Sequence, residues 1–154
     1  MTLQLNTSAF EPGGDIPIEF TCDGADVSPS LAWSGVPEGT QSFALIVEDP
    51  DAPARTWVHW VLYDLPATLD ELPQGLPAQR KLPSGARQGP NDFGKIGYGG
   101  PCPPPGPAHR YYFKLYALDT MLNLAPGARR SALDRAMRGH VLASADLLGR
   151  YHRT

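Results

Sequence analysis

The stretch Ser42-Phe43-Ala44-Leu45-Ile46-Val47-Glu48-Asp49-Pro50 decides the fold. Its first six residues are almost wholly apolar and rich in β-formers, the pattern of a central strand covered on both faces. Asp49-Pro50 ends the run, because proline fixes its own φ and donates no ladder hydrogen bond. Working outward, strand-like runs fall at residues 2–5, 16–20, 31–33, 58–65 and 111–118, each bounded by Gly, Pro, Asp or Asn. That spacing suits a β-sandwich. The 17 prolines and 16 glycines among 154 residues demand many turns and few long helices.

Between residues 64 and 100, Pro66, Pro73, Pro77, Pro83 and Pro90 predict a long irregular connection, with at most a short strand near 86–88. Toward the C-terminus, Ser131-Ala132-Leu133-Asp134 has the form of a capping box with Asp in place of Glu. Leu133, Met137 and Val141 recur every four residues. One or two short helices, divided at Gly139, are expected there, with their apolar stripe packed on a sheet face.

A chain of 154 residues with 42% apolar composition forms one domain, 1–154, with a substantial core. Its net charge of −3 and the lack of Lys/Arg runs remove the electrostatic basis for binding nucleic acid or an anionic membrane. The N-terminus lacks a basic region followed by an apolar stretch, and no window approaches the roughly eighteen apolar residues of a membrane span. A cytoplasmic location is the default. Cys22 and Cys102 form no CxxC pattern, so a zinc site is not expected. In a reducing compartment they read as buried thiols rather than a disulfide.

Three segments could carry chemistry. Asp49-Pro50-Asp51-Ala52-Pro53 sets two carboxylates one residue apart where a buried strand stops, and Pro50 and Pro53 stiffen the exit. In Trp57-Val58-His59-Trp60-Val61-Leu62-Tyr63, alternation places His59 with Trp57, Val61 and Tyr63, opposite Trp60 and Leu62. A nearby Asp49 or Asp51 would hold one ring nitrogen of His59 protonated and leave the other for a ligand. The third segment is the stiff Gly/Pro loop Gly99-Gly100-Pro101-Cys102-Pro103-Pro104-Pro105-Gly106-Pro107-Ala108, which delivers His109-Arg110-Tyr111. Alternation points His109 and Tyr111 together and Arg110 away, toward a structural carboxylate. A phenol, the imidazoles and the amides of Gly99 and Gly100 make a donor-rich cup for a small anion.

Other chemistries fit less well. Gly89-Pro90-Asn91-Asp92-Phe93-Gly94-Lys95-Ile96 matches a phosphate loop except at its last position, where Ile96 cannot ligand Mg²⁺, and no helix signal follows. The histidines show no metal-ligand spacing, and no GxSxG elbow marks a serine hydrolase. No metal, cofactor or catalytic residue is assigned.

Taken together, the Asp49-Pro50-Asp51-Ala52-Pro53 element, the His59 strand and the Gly100-Pro101 to His109-Arg110-Tyr111 loop resemble the phosphatidylethanolamine-binding protein family. Thr21-Cys22-Asp23-Gly24, Asn91-Asp92-Phe93-Gly94 and Tyr98-Gly99-Gly100-Pro101-Cys102-Pro103-Pro104 resemble its bacterial and archaeal branch, the Raf kinase inhibitor-like proteins. The resemblance implies a β-sandwich with Greek-key connections, C-terminal helices and an anion pocket at one end of the sheets. It matches Asp49 and Asp51 to the family's acidic pair, His59 to its pocket histidine, His109-Arg110-Tyr111 to its triplet, and Gly100 and Pro101 to the pocket wall. The implied function is binding of a phosphate- or carboxylate-bearing group such as a phospholipid headgroup, with a kinase or protease as protein partner and a homodimer as the assembly. A hydrolytic enzyme using Asp/His acid–base chemistry in the same pocket is the alternative.

Overall fold

The computed structural model describes residues 2–154. Among them, strands β1 (Gln4–Asn6), β2 (Leu31–Ser34) and β5 (Glu71–Leu72) form a small antiparallel sheet ordered β1-β2-β5. Strands β3 (Ser42–Asp49), β4 (Trp57–Pro66), β6 (Arg87–Gln88), β7 (His109–Leu118) and β8 (Val141–Tyr151) form a larger antiparallel sheet ordered β6-β4-β3-β7-β8. One helix, α1 (Arg130–Met137), precedes β8.

β3 is the centre of the molecule, and every one of its residues is buried. Phe43, Leu45 and Val47 share a core with Leu5, Leu31 and Trp33 of the small sheet, whereas Ala44 and Ile46 pack with Leu133 and Met137 of α1. The unbroken apolar run therefore serves two interfaces, a sheet on one side and a helix on the other. The result is a sandwich with a helical layer on the back of its larger sheet.

Four features depart from expectation. Residues 16–20 are not a strand: Pro17 leads into a short 3₁₀ turn over Ile18–Phe20, closed by the Thr21 amide donating to Ile18 O at 3.0 Å. Ser131 does not cap α1, because the helix already begins at Arg130, and Asp134 instead accepts from the Arg130 guanidinium at 3.0 Å. No second helix follows: Gly139, at φ +79°, lets the chain leave α1, and residues 141–151 pair with β7 as an edge strand. An edge strand half open to solvent needs only a faint alternation, and the four-residue spacing that ran on into Val141 masked it.

The fourth departure is covalent. Cys22 and Cys102 are joined in a disulfide with their Cα atoms 5.4 Å apart, not held as separate thiols. Eighty positions separate them in sequence, so only the docking of their two loops brings them within bonding reach. The Cys22 amide also donates to Pro101 O at 3.1 Å, so the loops are joined by backbone as well.

Candidate functional site

The site gathers where β3 ends and β7 begins. Asp49, 3% exposed at the last position of β3, uses its two carboxylate oxygens for different tasks. Oδ1 accepts the Asp51 amide at 2.7 Å and shapes the turn, while Oδ2 accepts from His109 Nδ1 at 2.7 Å. Asp51 then takes Arg110, with Oδ2 accepting both the backbone amide and Nε at 2.9 Å and Oδ1 accepting Nη2 at 2.8 Å. That two-pronged bond holds the Asp51 carboxyl down at about 2. The two aspartates thus clamp the first two residues of β7 side by side. Pro50 and Pro53 are exposed on the same loop.

His59 owes its direction to a bulge. Val58 pairs with Glu48 and Trp60 with Val47, so His59 is the extra residue in the ladder. The bulge breaks the alternation and turns His59 to the Trp60 side, away from Val61 and Tyr63, which face α1. Its ring meets the Tyr111 ring edge-on at 5.2 Å and Phe93 at 5.4 Å. Neither aspartate holds it. Nδ1–H donates to Gly99 O at 2.6 Å, and the Gly99 amide donates back to His59 O at 2.9 Å. Burial lowers the His59 pKa below the usual imidazole value, opposed by the Gly99 carbonyl and the Asp49 charge, so the ring is neutral at pH 7 with Nε2 as an acceptor.

The glycine amides are likewise not free donors. Gly99 N–H is spent on His59 O, and Gly100 N–H donates to Asp26 Oδ1 at 2.8 Å. Their work is structural, since the Gly99 carbonyl sets the tautomer of His59. Pro101, buried beside them, offers its carbonyl to Cys22.

Tyr111 is 1% exposed, packed between the imidazoles of His59 and His109, and its Oη has no hydrogen-bond partner among the described residues. Burial, with the Asp49 and Asp51 charges behind it, raises its pKa beyond the ordinary phenol range. The hydroxyl is therefore a fixed donor. The two imidazoles beside its ring both have Nδ1 committed, His59 to Gly99 O and His109 to Asp49 Oδ2.

A family model for phosphatidylethanolamine-binding proteins matches residues 6–152. The chain belongs to the phosphatidylethanolamine-binding protein family. UPF0098 proteins of Methanothermobacter thermautotrophicus and Aquifex aeolicus are 50% and 49% identical to it, each over 98% of this chain and over 99% and 89% of their own lengths. The crystal structure of a phosphatidylethanolamine-binding protein homologue from Chlamydia trachomatis superposes with a TM-score of 0.90 at 40% identity, covering 99% of both chains. Escherichia coli YbcL, described as a member of the mammalian family, gives 0.91 at 37% identity over the whole of both chains.

Two residues packed against these groups escaped sequence reading. Asp26 anchors Gly100 across 74 positions, and nothing in its flanking sequence marks it. Phe93, 41% exposed, lies over His59 and Trp57 as a cover. Its signal was present in Asn91-Asp92-Phe93-Gly94, whose Asn91 Oδ1 accepts the amides of Phe93 and Lys95 at 2.9 and 3.2 Å and folds the phosphate-loop lookalike into a tight turn. The helix of this structure is too short to cross a membrane.

Proposed function

We propose that this protein is a non-enzymatic binding or regulatory module whose pocket, made by Asp49, His59, His109 and Tyr111 and backed by Gly99, Gly100 and Pro101, takes a small phosphate- or carboxylate-bearing group. The buried, unpartnered hydroxyl of Tyr111 carries this reading, because a donor left without a partner in a dry site costs free energy unless something accepts from it. His109, fixed by Asp49 through Nδ1, keeps Nε2 uncommitted for the same ligand. Neutral His59 offers an acceptor, which suits a ligand oxygen that still carries a proton, as in hydrogen phosphate. Arg110, locked to Asp51, braces the wall rather than touching the ligand.

The family name supports a phospholipid headgroup as one source of that phosphate. A kinase or protease partner and a homodimer belong to the same proposal. The cytoplasmic placement does too, and in that compartment a disulfide is expected to be redox-active rather than permanent.

Titration with inorganic phosphate and phosphorylethanolamine, followed by NMR, tests the proposal. Ring signals of His59, His109 and Tyr111 should move together at millimolar ligand. No movement at any of the three refutes the anion pocket, and turnover of an ester substrate that vanishes in a folded His109→Ala variant favours the hydrolase instead.

A further inference from the structure

We propose that the Cys22–Cys102 disulfide is a reversible redox tie that sets the geometry of this site, opened when a dithiol attacks Cys102 and Cys22 leaves. The site half rests on the anion-pocket reading above. The chemistry of the bond does not.

The two sulfurs are unequal. Cys102 is exposed on the proline-rich loop, whereas Cys22 is half-buried and its Sγ receives Arg153 Nη2 at 3.1 Å. A reductant thiolate meets Cys102 first, and the developing negative charge falls on the sulfur that already has a guanidinium beside it. Asp23 shares that guanidinium, accepting from Nε at 2.9 Å, and holds Arg153 in place while tempering its effect. In the first step the reductant sulfur bonds to Cys102 Sγ, the protein S–S bond breaks, and its electron pair stays on Cys22 Sγ. The second thiol of the dithiol then attacks its own mixed-disulfide sulfur and releases Cys102 as thiolate. Two electrons pass from dithiol to protein, and both thiolates take protons from water.

What the bond holds is next to the site. Beyond the disulfide, Cys22 N–H to Pro101 O and Gly100 N–H to Asp26 Oδ1 tie the same two loops together. Gly99, three residues from Cys102, provides the carbonyl that orients His59. A cavity of about 230 Å³ is lined by both half-cystines together with Asp26, Phe93 and Gly99, leaving the loops room to separate. Opening the bond loosens residues 99–103, and His59 loses the fixed acceptor that sets its tautomer. The strands that carry Asp49, His109 and Tyr111 are held by the large sheet and stay in place.

Native protein treated with glutathione and quenched with a maleimide should show glutathione on Cys102 and maleimide on Cys22 by peptide mass spectrometry. The reverse labelling, or a bond inert to millimolar dithiothreitol without denaturant, overturns the proposal. Arg153→Gln should slow opening about threefold while Arg153→Lys restores the rate; a glutamine variant as fast as wild type removes Arg153 from the step. After reduction, amides 99–103 should exchange at least tenfold faster and the His59 ring signals should shift, with protection in β3 and β7 retained. Unchanged loop exchange and ring signals refute the coupling, and lost β3 and β7 protection refutes it as well, since the bond would then hold the whole fold. Phosphate affinity measured on both forms separates the two readings. If the oxidised form binds none, the anion pocket fails, while labelling, exchange and ring signals still decide the tie.

Discussion

Tyr111 shows how one side chain separates function from stability. A buried hydroxyl without a partner costs about 1–3 kcal/mol, so Tyr111→Phe should leave the protein as stable as before or more so, measured by urea unfolding. Phosphate affinity in the same variant should fall about tenfold or more, since a hydrogen bond to a charged group is what it removes. A purely structural tyrosine would show the opposite pairing. His59 makes a second prediction through its lowered pKa. As a neutral acceptor His59 serves a ligand oxygen that carries a proton, and protonating the ring removes that acceptor, so affinity should hold at neutral pH and decline as pH falls through the free-state pKa, which lies below the ordinary value of about 6.5. Calorimetric titration from pH 5 to 8 checks this, and a decline centred above 6.5 would place the controlling proton elsewhere. His59 was legible as a candidate from sequence. Its partner was not, because the bulge in β4 turns the ring toward Gly99 instead of toward an aspartate.

At the scale of elements, the loop of residues 99–103 is packed unevenly, and substitution should expose this. A Cβ on Gly100 would strike the Phe20 carbonyl and come within 2.9 Å of Thr21 Cα, both backbone, so Gly100→Ala should cost about 1–3 kcal/mol or more in chemical denaturation. On Gly99 the added carbon meets the Phe93 ring at 2.6 Å, and that ring is exposed enough to swing aside. Gly99→Ala should therefore destabilise less than Gly100→Ala. On the far side of the sheet, Leu133 of α1 is fully buried against Ala44 and Ile46, and Leu133→Ala should cost about 2–5 kcal/mol. The apolar stripe of α1 was plain in the sequence. The strand after it was not, because an edge strand with one wet face carries little hydrophobic signal.

For the whole molecule, acidification should destabilise in two stages. Asp23 and Asp51 are both lowered from 3.8 to about 2 by bonds to Arg153 and Arg110, with Tyr151 also donating to Asp23. A carboxylate with a depressed folded pKa stabilises above its unfolded value, and that contribution is lost as pH falls from about 4 through about 2. His59 acts earlier: its lowered pKa means the unfolded chain takes up the proton first, so stability begins to decline as pH drops below about 6.5. Unfolding free energies at pH 7, 5 and 3 should fall in that order, and Asp51→Asn should flatten the lower stage. By itself the sequence determined the β class, the buried central strand and the three family segments, because apolar runs, proline stops and motif spacing are local and survive without a fold. Tertiary structure alone decided that Asp49 holds His109 rather than His59, that the glycine amides are spent within the wall, and that Cys22 and Cys102 are bonded. Each of those depends on strand register or loop docking between residues 40 to 80 positions apart, where the partner is chosen by geometry and not by neighbours in the chain.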